Sequence, residues 1–154
     1  MNQKLSEWAS IAEIVSGAAV VVTLVFLVLS IRENSAITRA SMFSNNIDSL
    51  IENRRDRLLD DALYDSFRAL NSGDIDGLDD REIGRLVLYH QNLFQIYEKA
   101  YFTREYDLLG DAEWSRFERV ICGGNRVLSD AGLVDTAFNS LTDAFREYIS
   151  DTCA

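Results

Sequence analysis

Ile14-Val-Ser-Gly-Ala-Ala-Val-Val-Val-Thr-Leu-Val-Phe-Leu-Val-Leu-Ser-Ile31 runs for eighteen residues without a charge. A helix rises about 1.5 Å per residue, so this run spans nearly 30 Å, roughly the hydrocarbon thickness of a bilayer. Trp8 precedes it and Arg32 follows it, residue types that anchor a span at its interfaces. A secretory signal peptide fits poorly. The start carries Lys4 against Glu7 and Glu13, the apolar stretch exceeds the usual length, and Arg32-Glu33-Asn34 is a poor cleavage context. A buried core helix fits poorly too, because a chain of 154 residues has little other apolar mass to wrap it. The expectation is an uncleaved transmembrane helix over residues 1–33.

Lys and Arg near the ends set the expected orientation. Lys4 and the terminal amine lie on one side, Arg32 and Arg39 on the other. This places the N-terminus outside and residues 32–154 in the cytoplasm, as in a bacterial inner membrane. Cys122 and Cys153 agree with a reducing compartment, and a disulfide between them stays open.

Beyond the span the chain is acidic. Of 15 Lys and Arg only Lys4 lies outside residues 32–154, and of 25 acids only Glu7 and Glu13, which leaves a net charge of −9 there. Such a surface disfavours nucleic acid and is repelled by an anionic leaflet. The single basic cluster, Arg54-Arg55-x-Arg57, is ringed by Glu52, Asp56, Asp60 and Asp61. It reads as a solvated, salt-bridged helix face.

The absence of proline and the lack of long alternating stretches point to an all-α fold. Ile37, Ala40, Phe43, Ile47, Leu50 and Ile51 recur at helical steps. They predict that the transmembrane helix continues as a juxtamembrane segment, 34–71, unbroken to about Arg57. A short or bent helix follows over Asp60–Leu70. A helical cytoplasmic domain, 72–154, completes the chain as a small bundle.

Asn71 to Asp80 is the clearest loop. Asp74-x-Asp76-Gly77 mimics part of a calcium-binding EF-hand loop. In that register Ser72 would be the first ligand and Ile83 the twelfth, so both ends fail. Asp79-x-x-Glu82 has capping-box spacing for a helix over Asp80–Leu109. Its stripe carries Leu86, Val87, His90, Phe94, Tyr97 and Tyr101. His90, the only histidine, reads as a core or edge residue with a hydrogen-bond partner, since no second histidine or nearby cysteine completes a zinc site. Glu98 sits one turn from aromatic residues and reads as a paired, partly buried carboxylate. Past Gly110 a further helix is predicted to end at Cys122-Gly123-Gly124, which serves as a C-cap. A final helix then carries the seam Val134, Phe138, Leu141, Phe145 and Tyr148, packed within the domain or on another subunit.

No nucleophile elbow, Cys-x-x-Cys, phosphate loop or dinucleotide fingerprint occurs, so no catalytic residue, metal ligand or cofactor site is assigned and a non-enzyme is expected. Within the span, Ala12-x-x-x-Ser16 and Ala19-x-x-x-Thr23 put small side chains on successive turns, which permits close helix packing. Glu13 lies near the outer boundary. The candidate functional polar residues are therefore Glu13, His90, Glu98 and Tyr101.

Trp8-Ala-Ser-Ile-Ala-Glu-Ile-Val-Ser-Gly17, with Val28-Leu-Ser-Ile-Arg-Glu-Asn34, resembles the opening of a broad group of bacterial single-span membrane proteins of uncharacterised function. Tyr97-Glu98-Lys99-Ala100-Tyr101 and, more loosely, Leu108-Leu109 with Trp114 are similar to later motifs of that group. The resemblance implies one amino-terminal span and a helical cytoplasmic domain, and it implies no activity. The functional expectation is a non-catalytic, membrane-anchored interaction or scaffold module. Its partners would be the lipid bilayer and either a second copy or other membrane subunits. The rival expectation is an ion-conducting or gating oligomer with Glu13 near the pore mouth.

Overall fold

The computed structural model describes the backbone of residues 2–153, and the side chains of residue 13 and of residues 15–153. Six helices occur among the described residues and no strand: α1 (Asn2–Leu59), α2 (Asp61–Ser72), α3 (Asp80–Glu105), α4 (Asp111–Asp130), α5 (Val134–Ala137) and α6 (Asp143–Thr152). The all-α expectation holds. The chain divides into two compact units, residues up to Ala40 and residues from Ser41 onward.

The first unit consists of α1 residues alone. It contains an 18-residue window of mean hydropathy 2.2, none of it buried, which is long and apolar enough to cross a membrane by length and composition. A soluble core helix would be covered by its own chain, whereas Val22 is 68% exposed and Phe26 69%. Ser16, Ala19 and Thr23 are exposed as well. The Thr23 hydroxyl donates to the Ala19 carbonyl at 2.8 Å, so its polar group is already satisfied within the helix. Trp8 and Ala12 lie outside the described side chains.

The second unit begins within α1, where Phe43, Ile47 and Leu50 pack against the main core. Helix α1 stops at Leu59, two residues past the expected break. Asp60 then accepts from the Leu63 amide at 3.1 Å and caps α2, and Gly73 closes α2 in the left-handed region at φ 75°. The expected capping box starts α3: Asp79 Oδ1 accepts from the Glu82 amide, and the Asp79 amide donates to Glu82 Oε2, both at 2.8 Å. Helix α3 is central and packs on α2, α4 and α5. It ends four residues before the expected Leu109.

Two boundaries differ more. Helix α4 does not end at Cys122-Gly123-Gly124 but runs through both glycines to Asp130. An interior glycine costs about 1 kcal/mol of helix propensity. At Gly124 the missing side chain serves packing, because a Cβ there would lie 3.2 Å from Phe94 Cζ on α3. The Gly-Gly pair is a close-approach point rather than a C-cap. The final helix is likewise two helices. Gln91 holds the intervening turn through Thr136 O (2.9 Å) and Asn139 Oδ1 (3.0 Å), and Thr142 starts α6 as its N-cap. The seam survives the break. Phe138, Leu141 and Phe145 are buried in the main core, with Val134 and Tyr148 against it, so the seam packs within this unit.

Cys122 and Cys153 form a disulfide, with Cα atoms 4.9 Å apart, tying α4 to the end of α6. Two asparagines of α1 are buried in the same unit. Asn46 is fully buried with neither amide atom hydrogen-bonded, and Asn53 Oδ1 has no partner.

Candidate functional site

His90 is 3% exposed on α3. Its Nδ1 lies 2.8 Å from the Leu86 carbonyl, one turn back, and must therefore carry the proton in this contact. Nε2 is then the acceptor of a neutral ring, with no hydrogen-bond partner among the described residues. The ring stacks on Phe67 of α2 at 5.7 Å between centroids and meets Tyr89 edge-on at 5.3 Å. Burial pushes the imidazole below its ordinary pKa. The bond to Leu86 opposes that shift and the Arg57 charge adds to it. The expected core histidine with a partner is what the fold contains.

The same aromatic group fixes an arginine. The Arg57 guanidinium lies 4.3 Å over the Phe67 ring and 5.9 Å from Tyr89, and its Nε is buried without a partner. Arg57 lines a cavity of about 490 Å³ with Arg54 from the same helix and Arg119 from α4. His90, Tyr89 and Asn71 form part of the wall, and Asn71 Nδ2 donates to the Phe67 carbonyl at 2.7 Å. No carboxylate lines the cavity among the described residues, and none lies within ion-pair distance of Arg54, Arg57 or Arg119. The Tyr89 hydroxyl is pushed up by burial, partly offset by Arg57 and Arg54. Burial, with Tyr89, carries Tyr97 to about 12 against the pull of the same two arginines.

Arg54 and Arg55 are exposed, as a solvated face predicts, but the expected salt bridges are missing: among the described residues no carboxylate pairs with Arg54, Arg55 or Arg57. Asp60 bonds to the start of α2 and sits 3.9 Å from Arg85 instead. The aromatic side chains that seat Arg57 come from two other helices, α2 and α3, so the charge pattern of α1 does not show the site. The available signal was a run of basic residues in a chain of net charge −10.

The other candidates lie elsewhere. Glu98 is half-buried and does not line the cavity. Its Oε1 accepts from both the amide and the hydroxyl of Thr142, each at 2.7 Å, and so braces the first turn of α6. The pairing expectation holds, with Thr142 in place of a tyrosine or arginine. Tyr101 packs against Phe145 and Tyr148 at 5.3 and 5.0 Å between centroids. Beside it, Trp114 Nε1 donates to the Tyr148 hydroxyl at 3.1 Å, which donates to Glu118 at 2.6 Å. Burial and the Glu118 carboxylate together raise the Tyr148 pKa. Glu13 is exposed in the first unit.

Compared with protein families, curated proteins and solved structures, the chain shows no match.

Proposed function

We propose that this chain is a membrane-anchored, all-helical interaction module that self-associates or serves as an accessory subunit of a membrane assembly. The observation that supports this is the uncovered apolar surface of α1. Eleven large hydrophobic side chains between Val15 and Ile31 are about half exposed or more. Leaving them in water costs on the order of 20 kcal/mol, more than a typical domain's whole stability. A bilayer removes that cost, and Ser16, Ala19 and Thr23, with Ala12, supply a small-residue face for a neighbouring helix.

The bias of Arg32 and Arg39 against Lys4 supports a cytoplasmic side for residues 32–154. The disulfide pulls the other way, since such bonds persist mainly in oxidising compartments. Membrane-impermeant maleimide applied to intact cells after reduction decides between them: labelling of Cys122 and Cys153 before lysis reverses the orientation. Chemical crosslinking in native membranes tests the module itself. Homo-oligomers or one fixed partner are expected, and monomers at every expression level sink the proposal. The conducting alternative has a weaker basis, Glu13 near the expected boundary. It requires a bilayer conductance that Glu13→Gln alters.

A further inference from the structure

We propose that the arginine cavity of the second unit binds a small organic phosphate monoester. The argument rests on the cavity alone and does not depend on the membrane anchor.

Three arginines from two helices line one space and, among the described residues, no carboxylate lines it with them, in a chain with 25 acidic residues available. Like charges gathered this way repel, and an incoming anion relieves the repulsion. Two features make the cavity more than a basic groove. Arg57 is held by its stack on Phe67, so its planar donor fork is already oriented, and its buried Nε has a hydrogen bond still to make. His90, almost wholly buried, lines the wall and stacks on Phe67, which holds in place the ring that carries Arg57.

The charge and the lining together define the ligand. A phosphate monoester carries close to two negative charges at neutral pH and offers three acceptor oxygens, which suits three forked donors. The apolar part of the wall, Phe67 and Tyr89 with the aliphatic groups around them, would be wasted on an inorganic ion. It suits an aromatic or aliphatic body attached to the phosphate. At about 490 Å³ the space accommodates a small organic molecule rather than a polymer.

Titration calorimetry on the full chain in detergent micelles, at fixed ionic strength, tests this with phenyl phosphate as the probe. Saturable binding is expected, with inorganic phosphate and phenol each at least tenfold weaker because each lacks one half of the recognition. Arg119→Gln, on an exposed side chain that should leave folding intact, is expected to weaken phenyl phosphate about tenfold or more, and Arg57→Gln likewise. Arg119→Lys should recover part of the loss. Dioleoyl phosphatidate added as a competitor separates the ligand's source: displacement of phenyl phosphate marks a lipid headgroup, and no displacement a soluble ester. The proposal is overturned if the folded chain takes up no phenyl phosphate at millimolar concentration. It is equally overturned if phenol binds as well, or if the two Gln variants bind unchanged.

Discussion

Replacing both Cys122 and Cys153 with serine should cost most of the stability that the chain closure contributes. The bridge joins residues 31 apart in sequence. The entropy it removes from the unfolded chain corresponds to about 3.7 kcal/mol at 25 °C. A domain of this kind commonly holds 5–15 kcal/mol in all, so the loss is a large share. Both cysteines are only half-buried, so the serine replacements add little desolvation cost. The effect should concentrate in α6. That helix has ten residues, too few to persist unaided, and is held by Phe145, Ile149, the Thr142 cap and the disulfide. Urea unfolding of the full chain in micelles, followed by circular dichroism, measures the total. Hydrogen exchange locates it, with α6 amides losing protection before those of α3. Reduced wild type should match the double variant. A difference below about 1 kcal/mol, or equal loss of protection across all helices, refutes the reasoning.

Four further outcomes follow from the packing. His90 binds its proton less readily folded than unfolded, so its contribution to stability is complete above about pH 6.5 and is lost as pH falls through its lowered folded value. Melting temperatures from pH 7.5 to about 5 should therefore fall more steeply for wild type than for His90→Gln, and parallel curves count against this. Gly123→Ala, with open space at its Cβ, should gain about 0.5–1 kcal/mol, whereas Gly124→Val should lose about 1–3 kcal/mol against Phe94. Denaturant midpoints that move together contradict the close-approach role. Asn46→Leu should raise stability by about 1 kcal/mol, because it removes a buried amide with no partner while keeping the same branched side-chain skeleton, and a lower melting temperature would refute that. Glu98→Ala should cost about 1–2 kcal/mol and fray the start of α6, detectable as faster exchange at Phe145 and its neighbours.

Much of the fold was legible because its signals are local. The apolar run, the Asp79–Glu82 box and the Asn71–Asp80 loop each lie within a dozen residues. The Val134–Tyr148 periodicity also identified core positions correctly, although the helix breaks between them. That break depends on Gln91 and Gln95 of α3, some 45 residues away, which no local pattern encodes. Gly123-Gly124 misled for a related reason: glycine ends helices by its own preference, and here Phe94 decides. The cavity was least legible. His90 stands out as the only histidine, but Arg54 and Arg57 lie among acids in sequence, Arg119 carries no local signal, and the side chains that seat Arg57 come from two other helices.

The burial of Trp114 has an optical consequence. At 2% exposure, with its indole N–H committed to Tyr148, it should emit at short wavelength when the second unit is folded. Unfolding moves the emission to the red as α4 and α6 part. Trp8 is the chain's other indole, so Trp8→Phe leaves Trp114 as the one tryptophan to excite selectively at the red edge of the absorption band. That one substitution makes the protein its own reporter of helix docking, readable in a micelle or a native membrane without an attached dye.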